Sequence, residues 1–144
     1  MTFLVSFDGR DLSAAALRRA ADLAGRLDER LVVVSVVPTD PLYAVRYGWI
    51  DDEREFDHDR ITEMLGERAL EIAPTAVFRP ESVHAYASHN TIAKRVKRIA
   101  RDEDASVVFI GSDNAGRFAA PVSSVGDKVS SSADYDVYIV RSPT

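Results

Sequence analysis

The sequence predicts one α/β domain spanning residues 1–144: a doubly wound, five-stranded, mostly parallel sheet in the order 3-2-1-4-5, with helices on both faces. Three observations predict it. Strand-like and helix-like segments alternate along the chain, with no internal repeat and no low-complexity stretch. The run Leu31-Val32-Val33-Val34-Ser35-Val36-Val37 is almost continuously aliphatic rather than alternating, so both of its faces must be covered, as in a parallel sheet. Near the end, Ser106-Val107-Val108-Phe109-Ile110 runs into the glycine-punctuated Gly111-Ser112-Asp113-Asn114-Ala115-Gly116, with Gly126 beyond it. A buried strand that feeds such a loop is where α/β domains hold ligands.

The elements follow in order. Phe3 to Phe7 is apolar except for Ser6 and ends in the turn signal Asp8-Gly9. Leu12, Ala16, Ala20, Leu23 and Leu27 then recur at steps of three and four, with Arg18, Arg19, Asp22 and Arg26 on the other face. That is an amphipathic helix starting near Asp11 or Ser13. The second strand is Leu31 to Val37, stopped by Pro38. Pro38 to Ile50 has no assigned structure and carries Tyr43, Tyr47 and Trp49. A second helix is expected from about Asp51 to Ile72, with Ile61, Met64, Leu65, Ala69 and Ile72 on one face and Pro74 ending it. The third strand falls within Ala76 to Ala87, where Pro80 implies an edge position or a break. A third helix runs from about Thr91 to Asp102, capped near Ser88 or Asn90, with Ile92, Val96 and Ile99 inward. The fourth strand is Val107 to Ile110, a short helix is expected between Ser124 and Ser132, and the last strand is Val137 to Val140.

Composition narrows the function classes. The chain is long enough to bury a core unaided, and its hydrophobic fraction of 46% and charged fraction of 28% are those of an ordinary globular protein. With no cysteine there is neither a disulfide framework nor thiol chemistry. The longest aliphatic run is too short to cross a bilayer, and the first eight residues read as a strand without a basic leader, so a soluble cytoplasmic protein with no membrane partner is expected. A net charge of −5 argues against nucleic acid as the main partner.

The strand order puts the topological switch between the first and fourth strands, where Asp8-Gly9-Arg10 meets Gly111 to Gly116. Glycine there lets backbone N–H groups approach an anion, and a following helix N-terminus adds a favourable dipole. Asp8, at a strand's carboxyl end, either meets a ligand hydroxyl or holds the turn and caps the helix.

With these pieces in place the chain resembles the universal stress protein family over nearly its whole length. The likeness rests on Asp8-Gly9 ending the first strand, the Val32 to Val37 strand, Ala105-Ser106-Val107-Val108-Phe109-Ile110-Gly111-Ser112, and the terminal Val137 to Val140 strand. The resemblance implies a doubly wound, dimerising domain, and in many members ATP or AMP held through a G-x2-G-x9-G-[S/T] motif. It implies that Asp8 meets the adenine or ribose, that backbone near Val34 touches adenine, and that Gly111, Gly116 and Gly126 lie along the phosphates. Gly116 and Gly126 keep the nine-residue gap, but four residues separate Gly111 from Gly116, and Asp127 replaces the Ser or Thr.

Ser124-Val125-Gly126-Asp127 also reads as a variant capping box, which places the Asp127 carboxylate where a phosphate would go. Two unit charges about 4 Å apart repel by roughly 1 kcal/mol in water and about 4 kcal/mol at an effective dielectric of 20. Arg10, Arg117 and Lys128 are the cations that offset it.

Asp51 to Asp59 is rich in metal-ligand types but reads as a solvated, acidic helix start with no second histidine at helical spacing. His84 and His89 have no triad partner nearby. Lys94, Arg95, Lys97, Arg98 and Arg101 form a solvated helix face. Tyr43, Tyr47 and Trp49 either pack on the sheet's end or a partner subunit, or cover the site and stack on a base. The terminal strand Val137, Tyr138, Ile139 and Val140 at the sheet edge is the expected homodimer interface. The resulting expectation is a non-enzymatic stress-response module that needs no cofactor, has an altered nucleotide loop, and acts on a protein partner. The alternative is an ATP- or AMP-binding sensor.

Overall fold

A computed structural model describes residues 1–84, 89–114 and 135–143. Strand β1 (Thr2–Ser6) is central, flanked by β2 (Arg30–Pro38) and β4 (Ala105–Gly111), with β3 (Val77–Val83) and β5 (Asp136–Val140) at the edges. The order is β3-β2-β1-β4-β5, and every pairing is parallel. This is the expected topology. The aliphatic run of β2 has seven consecutive buried residues from Leu31 to Val37, the burial that a strand covered on both faces requires. Its one polar member, Ser35, is buried and donates from Oγ to the carbonyl of Phe7 at 2.7 Å. Pro80 lies in β3 opposite Ser35, and β3 pairs with β2 alone, so its missing N–H faces the open edge.

Helices α1 (Asp11–Leu27), α2 (Pro41–Arg46) and α3 (His58–Ile72) cover one face, around Phe3, Val5, Leu17, Val33, Leu65 and Phe109. Helix α4 (His89–Asp102) covers the other through Ala93, Val96, Ile99 and Ala100, against Leu4, Val32, Val34, Val108 and Ile110. Val32 and Val33 thus point to opposite layers, as the two-residue period of a strand demands.

Two segments differ from the sequence expectation. The segment from Asp51 is not one helix. Asp52 and Glu55 form a complete capping box around a single 3-10 turn, Glu53–Glu55, and Phe56 is extended. Asp57 then accepts from Arg60 N and starts α3 at His58. Two caps in succession end one helical turn before the next begins. The region after Pro38 also holds a helix, α2, capped by Asp40 with Pro41 in its first turn. Helix α4 begins at His89, two residues before Thr91, so Asn90 lies inside it. The helix expected between Ser124 and Ser132 lies outside the described residues.

Candidate functional site

The carboxyl ends of β1 and β4 meet at the switch point. Here the chain leaves β1 through Phe7, whose N–H donates to the carbonyl of Val34 at 2.9 Å. Val34 itself is fully buried in the α4-side core. Gly9 follows with φ +83°, a conformation that L side chains rarely adopt. That turn lets the chain fold back over Leu65 and enter α1.

Asp8 organises this turn. Ser13 Oγ donates to Asp8 Oδ1 at 2.8 Å, and the Arg10 N–H donates to the same oxygen at 2.9 Å. Arg10 Nε donates to Asp8 Oδ2 at 3.2 Å. Both carboxylate oxygens are therefore engaged, and Asp8 holds the turn. Arg10 occupies the N-cap position of α1 without a capping side chain, because a guanidinium has no acceptor. Its side chain instead crosses the switch point: Arg10 Nη2 donates to Asp113 Oδ2 at 3.0 Å, in the 3-10 turn Ser112–Asn114 that ends β4. Burial works to lower the Arg10 pKa, but the Asp8 carboxylate outweighs it and the guanidinium is held above its ordinary value. Two carboxylates against one guanidinium leave this trio with a net charge of −1.

The approach of the two loops is close. A Cβ added at Gly111 would lie 2.8 Å from Asp113 Oδ1 and 2.9 Å from Leu12 Cβ. Glycine at the end of β4 is thus needed for β4 to pass the first turn of α1. Gly116, Arg117, Gly126, Asp127 and Lys128, expected beside it, lie outside the described residues.

The aromatic trio completes the wall. Trp49 Nε1 donates to the carbonyl of Asp8 at 2.8 Å. Tyr43 and Tyr47 stack with ring centroids 4.2 Å apart, Trp49 tilts against both, and the Arg10 guanidinium lies 4.4 Å from the centre of the Tyr47 ring. Burial first, and then the hydrogen bond with Tyr47, push the Tyr43 phenol far above its ordinary pKa, so it is neutral at physiological pH. The segment after Pro38 therefore packs on the carboxyl end of the sheet, at the back of the Asp8 turn.

Two participants carried no local signal in the sequence. Asp113 is one polar residue of a loop whose local signal is its glycines. Arg68 lies on α3, far from either loop in sequence, yet its Nη1 would be 3.5 Å from a Cβ at Gly9. Arg68 makes no ion pair among the described residues.

At the far edge, β5 pairs only with β4. Tyr138 stacks on Phe109 at 4.9 Å and its hydroxyl accepts from Arg19 Nη1 at 2.9 Å. Val140 is buried, Val137 packs on the α4-side core, and Ile139 is exposed. On α4, Lys94, Arg98 and Arg101 are exposed and Arg95 pairs with Glu81 at 3.6 Å. Among the described residues, no helix is long and apolar enough to cross a membrane.

Residues 1–141 match the family model described as the universal stress protein family. Solved structures share the fold. A universal stress protein in complex with cAMP is 22% identical, with 98% of this chain and 97% of that chain covered and a TM-score of 0.55. A family protein from Burkholderia pseudomallei is 23% identical, with 98% and 96% covered and a TM-score of 0.57. The universal stress protein from Archaeoglobus fulgidus in complex with dAMP is 20% identical, with 98% of each chain covered and a TM-score of 0.59. No curated protein matches the chain.

Proposed function

The chain belongs to the universal stress protein family, and from that premise we propose that it is a non-enzymatic regulatory module whose switch-point site takes adenine nucleotides weakly or not at all. The observation that carries this reading is the Arg10 clasp. Arg10, the cation that spans the β1–β4 crevice, is already shared between Asp8 and Asp113. An incoming phosphate must displace a carboxylate at hydrogen-bond distance and enter a trio that is negative overall. Asp127 in the sequence adds a further carboxylate to the loop that should cradle the phosphates. Repulsion of about 1–4 kcal/mol from one such charge at 4 Å lowers affinity by roughly one to three orders of magnitude.

In this reading the module works as a homodimer, paired through the open edge of β5 around Ile139, and acts on a protein partner. Two observations support this: β5 pairs only with β4, which leaves its other backbone edge open, and Ile139 beside that edge is exposed.

A second reading is an adenine-nucleotide sensor. Arg68 favours it: this guanidinium stands beside the Gly9 turn with no carboxylate partner among the described residues. The family proteins bound to cAMP and dAMP support the same ligand class. Calorimetric titration of ATP, ADP and AMP, with and without magnesium, separates the two. The first reading expects no saturable heat below millimolar nucleotide, and a gain of at least about tenfold for Asp127→Ser. Micromolar binding by the unaltered chain establishes the second.

A further inference from the structure

Among the described residues the sheet ends in two strands with one neighbour each, β3 beside β2 and β5 beside β4. Such an edge offers a row of N–H and C=O groups to a strand of another chain. Which groups it offers depends on phase. The N–H and C=O of one residue point to the same side of a strand, and successive residues alternate.

Two hydrogen bonds fix the phase of β3. The Phe7 N–H donates to the Val34 carbonyl at 2.9 Å, so Val34 faces β1 and the next residue, Ser35, faces β3. In a parallel pair, a residue that faces its neighbour strand bonds to the two residues on either side of its partner. The partner of Ser35 is Pro80, so Arg79 and Glu81 take those bonds and Pro80 faces outward. From the other end, the Thr39 N–H donates to the Val83 carbonyl at 2.9 Å. Val83 therefore faces β2, and with it the odd-numbered residues of β3. The outward positions are Phe78, Pro80 and Ser82, and the middle one has a ring in place of its N–H.

Pro80 and Ser82 are exposed, so this edge is open to solvent. A strand laid along it would meet a missing bond and a ring at the centre of a seven-residue edge. The inward neighbours of Pro80 are held on α4: Arg79 Nη1 donates to Glu103 Oε1 at 2.9 Å, and Arg95 lies 3.6 Å from Glu81. At the other edge, Asp136–Val140 contains no proline, so every outward residue of β5 keeps its N–H. The two edges are thus unequal. A pair of copies joined at β5 would carry β3 at both ends of one continuous sheet, and β3–β3 pairing would extend that pair into an open ribbon.

We propose that Pro80 closes the β3 edge to strand addition, so that assembly of this chain stops at two copies, the pairing through β5 being the one proposed above. Hydrogen exchange and sedimentation on the full chain test it. In the parent, the amides of Phe78 and Ser82 should exchange at least about tenfold faster than those of Arg79 and Glu81. Pro80→Val restores the outward N–H, and its fold is checked by circular dichroism. It should self-associate at least about fivefold more tightly than the parent, into species larger than two copies. Added to Ile139→Lys, the same substitution should raise the mass above that of Ile139→Lys alone. That background tests the β3 edge whatever happens at β5, so failure of one reading is distinguishable from failure of the other. Three results would overturn the proposal. One is equal protection of all four amides in the parent. Another is a folded Pro80→Val protein with unchanged mass in both backgrounds up to about 500 µM. The third is a parent that already assembles beyond two copies with Phe78 and Ser82 protected.

Discussion

Two glycines in this chain should respond to alanine with opposite signs, and the difference follows from what each approaches. A Cβ at Gly111 would lie 2.9 Å from Leu12 Cβ, 3.3 Å from the Leu12 carbonyl carbon and 2.8 Å from Asp113 Oδ1. Leu12 is in the first turn of α1, and its backbone cannot yield without moving the helix or separating β4 from β1. Such overpacking costs about 1–3 kcal/mol. At about 2–4 °C for each kcal/mol in a chain near this size, Gly111→Ala should lower the melting temperature by about 2–12 °C. Gly25 provides the control. It lies in the last turns of α1 with nothing within 4 Å of an added Cβ. Gly25→Ala gains helix propensity of about 0.5–1 kcal/mol, a rise of about 1–4 °C. Thermal melts by circular dichroism on the two variants and the parent decide it. A Gly111→Ala protein that melts at or above the parent would refute the close approach of β4 to α1, and with it the geometry assigned to the crevice.

The remaining predictions concern charge and assembly. The Arg30 hydrogen bond, supported by Arg79, holds Glu103 below the ordinary carboxylate pKa although partial burial pulls the other way. A depressed folded pKa gives stability that is present above the unfolded value, near 4.5, and is lost as pH falls through the folded value. Glu103→Gln should therefore destabilise at pH 7, and its difference from the parent should shrink as melts are taken below about pH 4; a difference constant down to pH 2 would contradict the pairing. For the dimer, light scattering should give twice the chain mass, and Ile139→Lys on the open edge of β5 should return it to the monomer mass. A parent that is monomeric at every concentration removes the β5 pairing.

Much of the architecture was legible because it is written in local patterns. The β2 run required cover on both faces, Pro80 allowed an edge position or a break, of which the edge is found, and the alternation of elements gave the strand order once a switch point was accepted. The missed features are of two kinds. Helix α2 and the split before α3 were encoded in caps, Asp40-Pro41 and the pair Asp52 and Asp57, that a search for apolar periodicity passes over. The clasp between Arg10 and Asp113 joins residues 103 positions apart, and no local pattern distinguishes an arginine that will find a carboxylate from one left to solvent. Asp8 was legible as a residue of consequence at the switch point. That both its oxygens are spent on Ser13 and Arg10 became clear only from the packed turn.

The central claim is that the crevice between β1 and β4 is occupied by the chain's own charges, with Arg10 held by Asp8 and Asp113. It is tested most directly by titrating ATP into the parent protein and into Asp113→Asn. Releasing one carboxylate from Arg10 removes a repulsion of about 1 kcal/mol or more at this partly exposed position, so affinity should rise by at least about fivefold from a weak parent value. Tight micromolar binding by the parent, left unchanged by Asp113→Asn, would mean that the nucleotide does not meet the clasp and that the claim is wrong.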